Sequence, residues 1–200
     1  MSGAPGSSQL IYSLPSIVEP IDPAQLFSFA QPLEVELGCG DGSFLLRYAG
    51  SHLERNFIGV ERLLGRLRKV NRKGGRARLK NLRLIRIEAA YFLEYLLPAG
   101  SVVALHVYFP DPWPKRKHWK NRLINERFPN LAAAVLSPGG MVHLRTDDTA
   151  YFAQMLAVFR ATERFEEIEA PLESRAVATD FEGDFAARGI PIHRVSYRRK

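Results

Sequence analysis

From residue 33 onward, apolar runs of strand length alternate with stretches whose apolar positions recur at helical spacing. "LEVEL" (33–37) reads as a first strand, followed by a glycine turn and a helix through "SFLLRYAG", and "NFIGVE" (56–61) reads as a second strand. The next helix, "RLLGRLRKVNRK", sets Leu63, Leu64, Leu67 and Val70 on one face, turns its cations outward and is expected to stop at Gly74-Gly75. "NLRLIRIEA" is a third strand and "YFLEYLL" a short helix closed by Pro98 and Gly100. "SVVALHVYF" is a fourth strand, apolar throughout as at the centre of a sheet covered on both faces. A helix around "PNLAAAVL", a fifth strand "MVHLRT" and the amphipathic "AYFAQMLAVFRAT" follow, the last with Asp147, Asp148 and Thr149 offering an N-cap. "FEEIEA" and "IHRVSYR" predict an antiparallel pair at one sheet edge. The alternation defines an α/β fold with a mostly parallel sheet. Residues 1–30, rich in Pro and Ser, are expected to form a loosely ordered arm ahead of one domain spanning 31–200.

Composition sharpens this picture in two ways. With 28 Lys+Arg against 21 Asp+Glu the chain carries +7, and the charge is segregated: Arg62 to Arg86 holds eleven basic residues and no acid, whereas Glu163 to Asp184 holds eight acids against Arg164 and Arg175. A basic face and a polyanionic partner are expected. Cys39 is the only cysteine, so neither an intrachain disulfide nor a thiolate metal cluster can form within one chain, which fits a reducing cytoplasm. No run of 18 apolar residues suggests a membrane span, and the five histidines are scattered without metal-ligand spacing, so no catalytic metal is expected.

In "LEVELGCGDGSF", Gly38, Gly40 and Gly42 separate a strand from a helix, where backbone approaches a ligand closely or simply turns. The spacing is G-x-G-x-G with Ser43 next, which departs from the strict dinucleotide pattern. Glu36 precedes the turn, where its charge opposes a pyrophosphate and suits an ammonium. Glu61, 23 residues after Gly38, stands where an acid accepts from ribose hydroxyls, and Glu88 ends the third strand. Each acid alone could be a solvated strand end. Together, at the carboxyl edge of parallel strands, they favour a cofactor with an ammonium, a ribose and an adenine, S-adenosylmethionine, over a nicotinamide.

"HVYFPDPWPKRKHWKNRL" (106–123) then frames Asp111 and Trp113 with Pro110, Pro112 and Pro114. A proline fixes its own φ and pushes the preceding residue toward extended backbone, so both side chains are expected to be stiffly aimed. Lys115, Arg116, Lys117, Lys120 and Arg122, interleaved with His118 and Trp119, suit RNA phosphates and bases, or else form a solvated charge run.

These stretches, with "GVE", "RTD" and "TDFEGDFAARGIPIHR", resemble the bacterial tRNA (guanine-N7)-methyltransferase family over about residues 33–198, most specifically in FPDPWxKxxHxKxR. The resemblance implies a Rossmann-like class I methyltransferase fold with a seven-stranded sheet, helices on both faces and an antiparallel edge pair. It also implies methyl transfer to guanine 46 of the tRNA variable loop. It assigns Glu36, Gly38, Gly40, Glu61, Glu88, Ala89 and Asp111 to the cofactor, and Lys115, Asp147, Thr179, Asp180, Phe181 and Glu182 to the substrate. Glu88 stands where the family often has Asp, and Asp184 where Lys is frequent. A cytoplasmic monomer or homodimer without membrane or metal partners is expected.

Guanine N7 has a lone pair and no proton to lose, so positioning is expected to dominate catalysis. Asp111 is the catalytic candidate, with Asp147 and Glu182 as alternatives for holding the guanine edge. Buried packing is the expected role of Cys39, ahead of a nucleophilic one. Other readings are a methyltransferase for another RNA position or a small molecule, a non-catalytic RNA-binding module of the same fold and, more weakly, a nicotinamide oxidoreductase.

Overall fold

The computed structural model describes residues 9–200. Its centre is one eight-stranded sheet in the order β1-β4-β3-β2-β5-β6-β8-β7. The strands are β1 (Ile11–Tyr12), β2 (Leu33–Leu37), β3 (Asn56–Val60), β4 (Leu82–Ile85), β5 (Val102–Tyr108), β6 (Leu136–Thr146), β7 (Phe165–Ile168) and β8 (His193–Arg199). All neighbours from β1 to β6 are parallel, and β8 lies antiparallel between β6 and β7. The seven strands expected from hydrophobic patterning are therefore present, and β1 adds an eighth at the far edge. The strand order reverses on either side of β2, which pairs with β3 and β5, and this opens a crevice at the carboxyl ends of those strands.

Helices cover both faces, as an apolar parallel sheet requires. On one side α2 (Ser43–Ser51) and α3 (Leu64–Arg76) bury Phe44, Leu45, Tyr48, Leu67 and Val70. On the other lie α4 (Ala89–Tyr91), running on into a π-helical turn (Phe92–Leu96), and α5 (Phe128–Val135) and α6 (Thr149–Arg160). Asp148 is the N-cap of α6, accepting from the Tyr151 N–H at 2.7 Å. Short helices α1 (Pro23–Leu26), α7 (Leu172–Ala176) and α8 (Asp180–Ala187) complete the chain.

The segment read as an arm divides. Residues 1–8 lie outside the described residues, whereas Leu10, Ile21, Leu26 and Phe27 are buried against the domain. The Leu10 N–H donates to Asn71 Oδ1 at 2.8 Å, and Ile21 N–H to Leu96 O at 2.8 Å. The packing of Leu10 also changes the reading of Gly74-Gly75. Helix α3 continues through them to Arg76, and Gly74 sits where a Cβ would lie 2.4 Å from Leu10 Cδ1. Gly74 is a packing glycine, not a helix terminator.

Strand β2 buries all five residues of "LEVEL", including both acids. Glu34 accepts from Arg55 Nη1 at 2.8 Å and contacts His106 Nε2 at 2.7 Å. Burial alone pushes its carboxyl up, but its bonds to His106 and Arg55 hold it below the ordinary range.

Candidate methyl-donor and substrate site

The glycine turn is built by three left-handed residues, Gly38 (φ 81°), Gly40 (φ 56°) and Gly42 (φ 76°), a conformation that side chains with a Cβ resist. The N–H groups of Gly38 and Cys39 both donate to Val60 O at 2.9 Å, which ties the turn to β3. Open space surrounds the Cα of Gly38 and of Gly40, whereas a Cβ on Gly42 would press to 2.7 Å of Val70. The first two glycines thus leave backbone accessible to a ligand, and the third lets α3 pack. Cys39 is buried, and burial holds its thiol well above its ordinary range, which fits packing.

Beside this turn lies a cleft of about 290 Å³ lined by Gly38, Glu61, Glu88, Ala89, Asp111 and Trp113, among others. Four loops that follow parallel strands therefore converge on it. Glu61 is buried and already positioned: its carboxylate accepts from Leu63 N–H at 2.8 Å and Gly40 N–H at 3.2 Å. Glu88 caps α4, accepting from Ala90 and Tyr91 N–H at 3.0 and 2.7 Å. Leu63, read as part of the buried face of α3, instead precedes the helix in extended backbone, is exposed and lines the cleft. The 3.6-residue phase starts one residue later than the apolar pattern suggested.

Glu36 lies beneath the turn. It is buried, its Oε2 has no hydrogen-bond partner among the described residues, and burial raises its pKa to about 8 despite the nearby Arg145 charge. Such an orphaned acceptor is costly unless a donor group meets it. An ammonium is the complementary group, which suits the amino-acid end of S-adenosylmethionine; Gly38 and Glu61 line the cleft, whereas Glu36 is buried and neither it nor Gly40 is among the lining residues.

The proline-framed loop is held from inside the domain. Arg122, expected among the cations that meet RNA phosphates or solvent, is fully buried. Its Nε donates to Pro112 O and its Nη1 to Gln154 Oε1, both at 2.7 Å, and its guanidinium lies 4.5 Å from the Trp119 ring and 4.6 Å from that of Tyr151. Trp113, expected to be extended before Pro114, has φ 46°, and Phe109 has φ 51°. Left-handed backbone at two residues with a Cβ costs roughly 1–2 kcal/mol each, and the Arg122 anchor on the carbonyl between them helps to hold it. Asp111, between these two residues, is exposed at the cleft. Lys115 is exposed where a 3₁₀ turn (Arg116–Asn121) begins.

Thr179, Asp180, Phe181 and Glu182 lie together at the start of α8, outside the cleft lining, and Asp147 is not joined to them by any hydrogen bond among the described residues. Thr179 caps α8 reciprocally with Glu182. Asp180 pairs with Arg47 at 2.7 Å, and its N–H donates to Ser43 Oγ at 3.1 Å, joining α8 to the helix that follows the glycine turn. The Phe181 ring lies 6.0 Å from that of Phe109, a cleft residue. Glu182 is committed internally: its oxygens accept from Arg145 at 2.8 Å, Arg194 at 2.7 Å and Thr179 N–H at 2.6 Å. Burial opposes its charge, but these partners keep it below the ordinary carboxyl range. Asp147 is half-buried just after β6.

Patterning misses Arg145 as well as Arg122. It is buried at the end of β6, donates to Val177 O at 2.9 Å and to Ser174 O, and stacks 4.1 Å from the Tyr108 ring. Its only signal in the sequence is a cation near the end of an otherwise apolar strand. Among the described residues no group of three or more His, Cys, Asp or Glu could hold a metal ion, and no helix is long and apolar enough to cross a membrane.

An open parallel sheet with this glycine turn, acids after β3 and β4, and an antiparallel edge pair defines a class I methyltransferase. A family described as "Putative methyltransferase" matches residues 30–195. The tRNA (guanine-N(7)-)-methyltransferase of Syntrophotalea carbinolica is 35% identical over 192 residues, covering 92% of this chain and 81% of its own. That of Geobacter metallireducens is 32% identical over 201 residues, covering 96% and 94%. The solved 16S rRNA methyltransferase KamB has the same fold, with TM-score 0.64 at 16% identity over 91% of this chain and 95% of its own. The chain belongs to the tRNA (guanine-N7)-methyltransferase family.

Proposed function

We propose that this protein transfers a methyl group from S-adenosylmethionine to N7 of a guanine in tRNA, at position 46 of the variable loop, in the cytoplasm. The observation that carries this reading is the convergence of Asp111 on the same cleft as the Gly38 turn, Glu61 and Glu88. The donor, when bound, supplies a methyl group on a sulfonium centre. The protein's part is to hold and orient. Glu36 meets the ammonium, Glu61 the ribose, and Glu88 with Ala89 the adenine side.

Guanine N7 already presents its lone pair, so no side chain need remove a proton, and placement supplies the rate. Methylation leaves positive charge on the purine. The Asp111 carboxylate, fixed in advance by the anchored loop, is placed to offset that charge and to accept from the guanine amino edge. Asp147 is the alternative for the edge contact. Glu182 supports the site by fixing α8 through Arg145 and Arg194, while Lys115 and the Thr179–Glu182 segment border the RNA path. Incubating unmodified tRNA with labelled donor, then mapping borohydride and aniline cleavage, tests the reading. Cleavage in the variable loop supports it, and methyl on another base, or on free nucleosides, contradicts it.

A further inference from the structure

The segment from Pro110 to Leu123 has a different cavity on each side. Asp111, Trp113 and Asn121 face the donor cleft. Trp119 and Lys120 instead border a groove of about 530 Å³, with Asn125, Arg127 and Gln154 among its other walls. We propose that Trp119 is a stacking platform for a second unpaired base of the tRNA, distinct from the guanine that is methylated. This inference rests on the tRNA reading above.

Trp119 is 38% exposed, although Arg122 covers one face of its indole at 4.5 Å. Its ring is therefore held flat by a buried cation on one side and left accessible at a groove. Aromatic rings pre-ordered in this way bind bases because every base has a π-face. The groove's amides are already committed: Asn125 Nδ2 donates to Arg122 O at 3.0 Å and Gln154 Nε2 to Ile124 O at 2.8 Å. These bonds take one N–H of each amide, so the indole face is the part of the site that accepts any base. Exposed Arg116, Lys117 and Lys120 lie on the segment between groove and cleft, where they meet the phosphates of a strand that places one nucleotide in each. Glu126 is the one acid lining the groove, and it suits a base there better than a phosphate.

Trp119→Leu keeps an apolar cover over Arg122 but cannot stack, and Trp119→Phe keeps a ring. Affinity for labelled tRNA by fluorescence anisotropy is expected to weaken about 10-fold in Trp119→Leu and to recover most of that loss in Trp119→Phe. Calorimetric affinity for S-adenosylmethionine is expected to be equal in all three proteins. The KM for tRNA should rise more than the rate at saturating tRNA falls. Equal tRNA affinity of wild type and Trp119→Leu, or Phe behaving like Leu, overturns the platform. Anisotropy needs no turnover, so a failure of the methylation reading appears separately, as tRNA binding without methyl transfer in the wild type.

Discussion

Arg122 Nε donates to Pro112 O at 2.7 Å, so a fully buried guanidinium sets the backbone next to Asp111. Arg122→Met retains bulk between Trp119 and Tyr151 but removes the donor. Single-turnover methylation should fall about 100-fold, the cost of a small misplacement of a reacting group, while calorimetric donor affinity stays within a few-fold. Arg122→Lys should also fail, because an ammonium lacks the planar fork that both stacks and donates twice. Wild-type rates in either variant would detach Arg122 from the site.

Glu36 makes the donor-free protein sensitive to alkali. Its carboxyl is raised from 4.5 to about 8 in the folded state. Within that window the unfolded chain gives up a proton that the folded chain keeps, so stability falls as pH rises, by up to roughly 4–5 kcal/mol. Urea unfolding from pH 6.5 to 8, above the window in which His143 contributes the opposite slope, should show this decline, and Glu36→Gln should flatten it. An unchanged slope in the variant would assign the decline to other groups.

His143 acts on the acid side. It contacts Ser196 Oγ at 2.8 Å, and burial, reinforced by adjacent His106, pushes its pKa from 6.5 down to about 3. A depressed folded value means that its contribution is present above 6.5 and is lost as pH falls, by about 1.4 kcal/mol per pH unit in that window. His143→Gln should remove about one proton from the uptake on unfolding between pH 4 and 6. Equal proton uptake in the variant and the wild type would contradict this.

Sequence patterning makes the sheet, the glycine turn and Asp111 legible because each depends on local rules: apolar strands, left-handed glycines and prolines flanking an acid. Arg122 and Arg145 are not legible in the same way. A cation in a basic run or at a strand end looks solvated until tertiary packing supplies aromatic faces and carbonyls, as Trp119, Tyr151 and Pro112 do for Arg122. Gly74 escapes patterning for a related reason, since the partner that requires its missing Cβ, Leu10, lies far away in sequence. Strand β1, only Ile11–Tyr12, is too short to carry a periodic signal.

The exposed cations of α3 are expected to contribute to tRNA binding. Arg66 lines the cleft and lies 3.7 Å from Glu61, so Arg68 and Arg72 give the cleaner test. Arg68→Glu with Arg72→Glu should weaken tRNA binding and reduce the slope of log affinity against log salt by about 1 for each phosphate no longer neutralised. Donor binding should not change. An unchanged salt slope would place the RNA on another face.

Whether Asp111 completes a guanine-N7 methylation site in the cleft floored by the glycine turn is tested most directly by chemical mapping. Wild type and Asp111→Ala are each incubated with donor and unmodified tRNA, the product is mapped by borohydride and aniline, and tRNA affinity is measured alongside by anisotropy. The predicted result is cleavage at a variable-loop guanine with wild type, and none with Asp111→Ala although that variant still binds tRNA. Cleavage of equal strength with Asp111→Ala, or none with wild-type protein that binds both donor and tRNA, would contradict it.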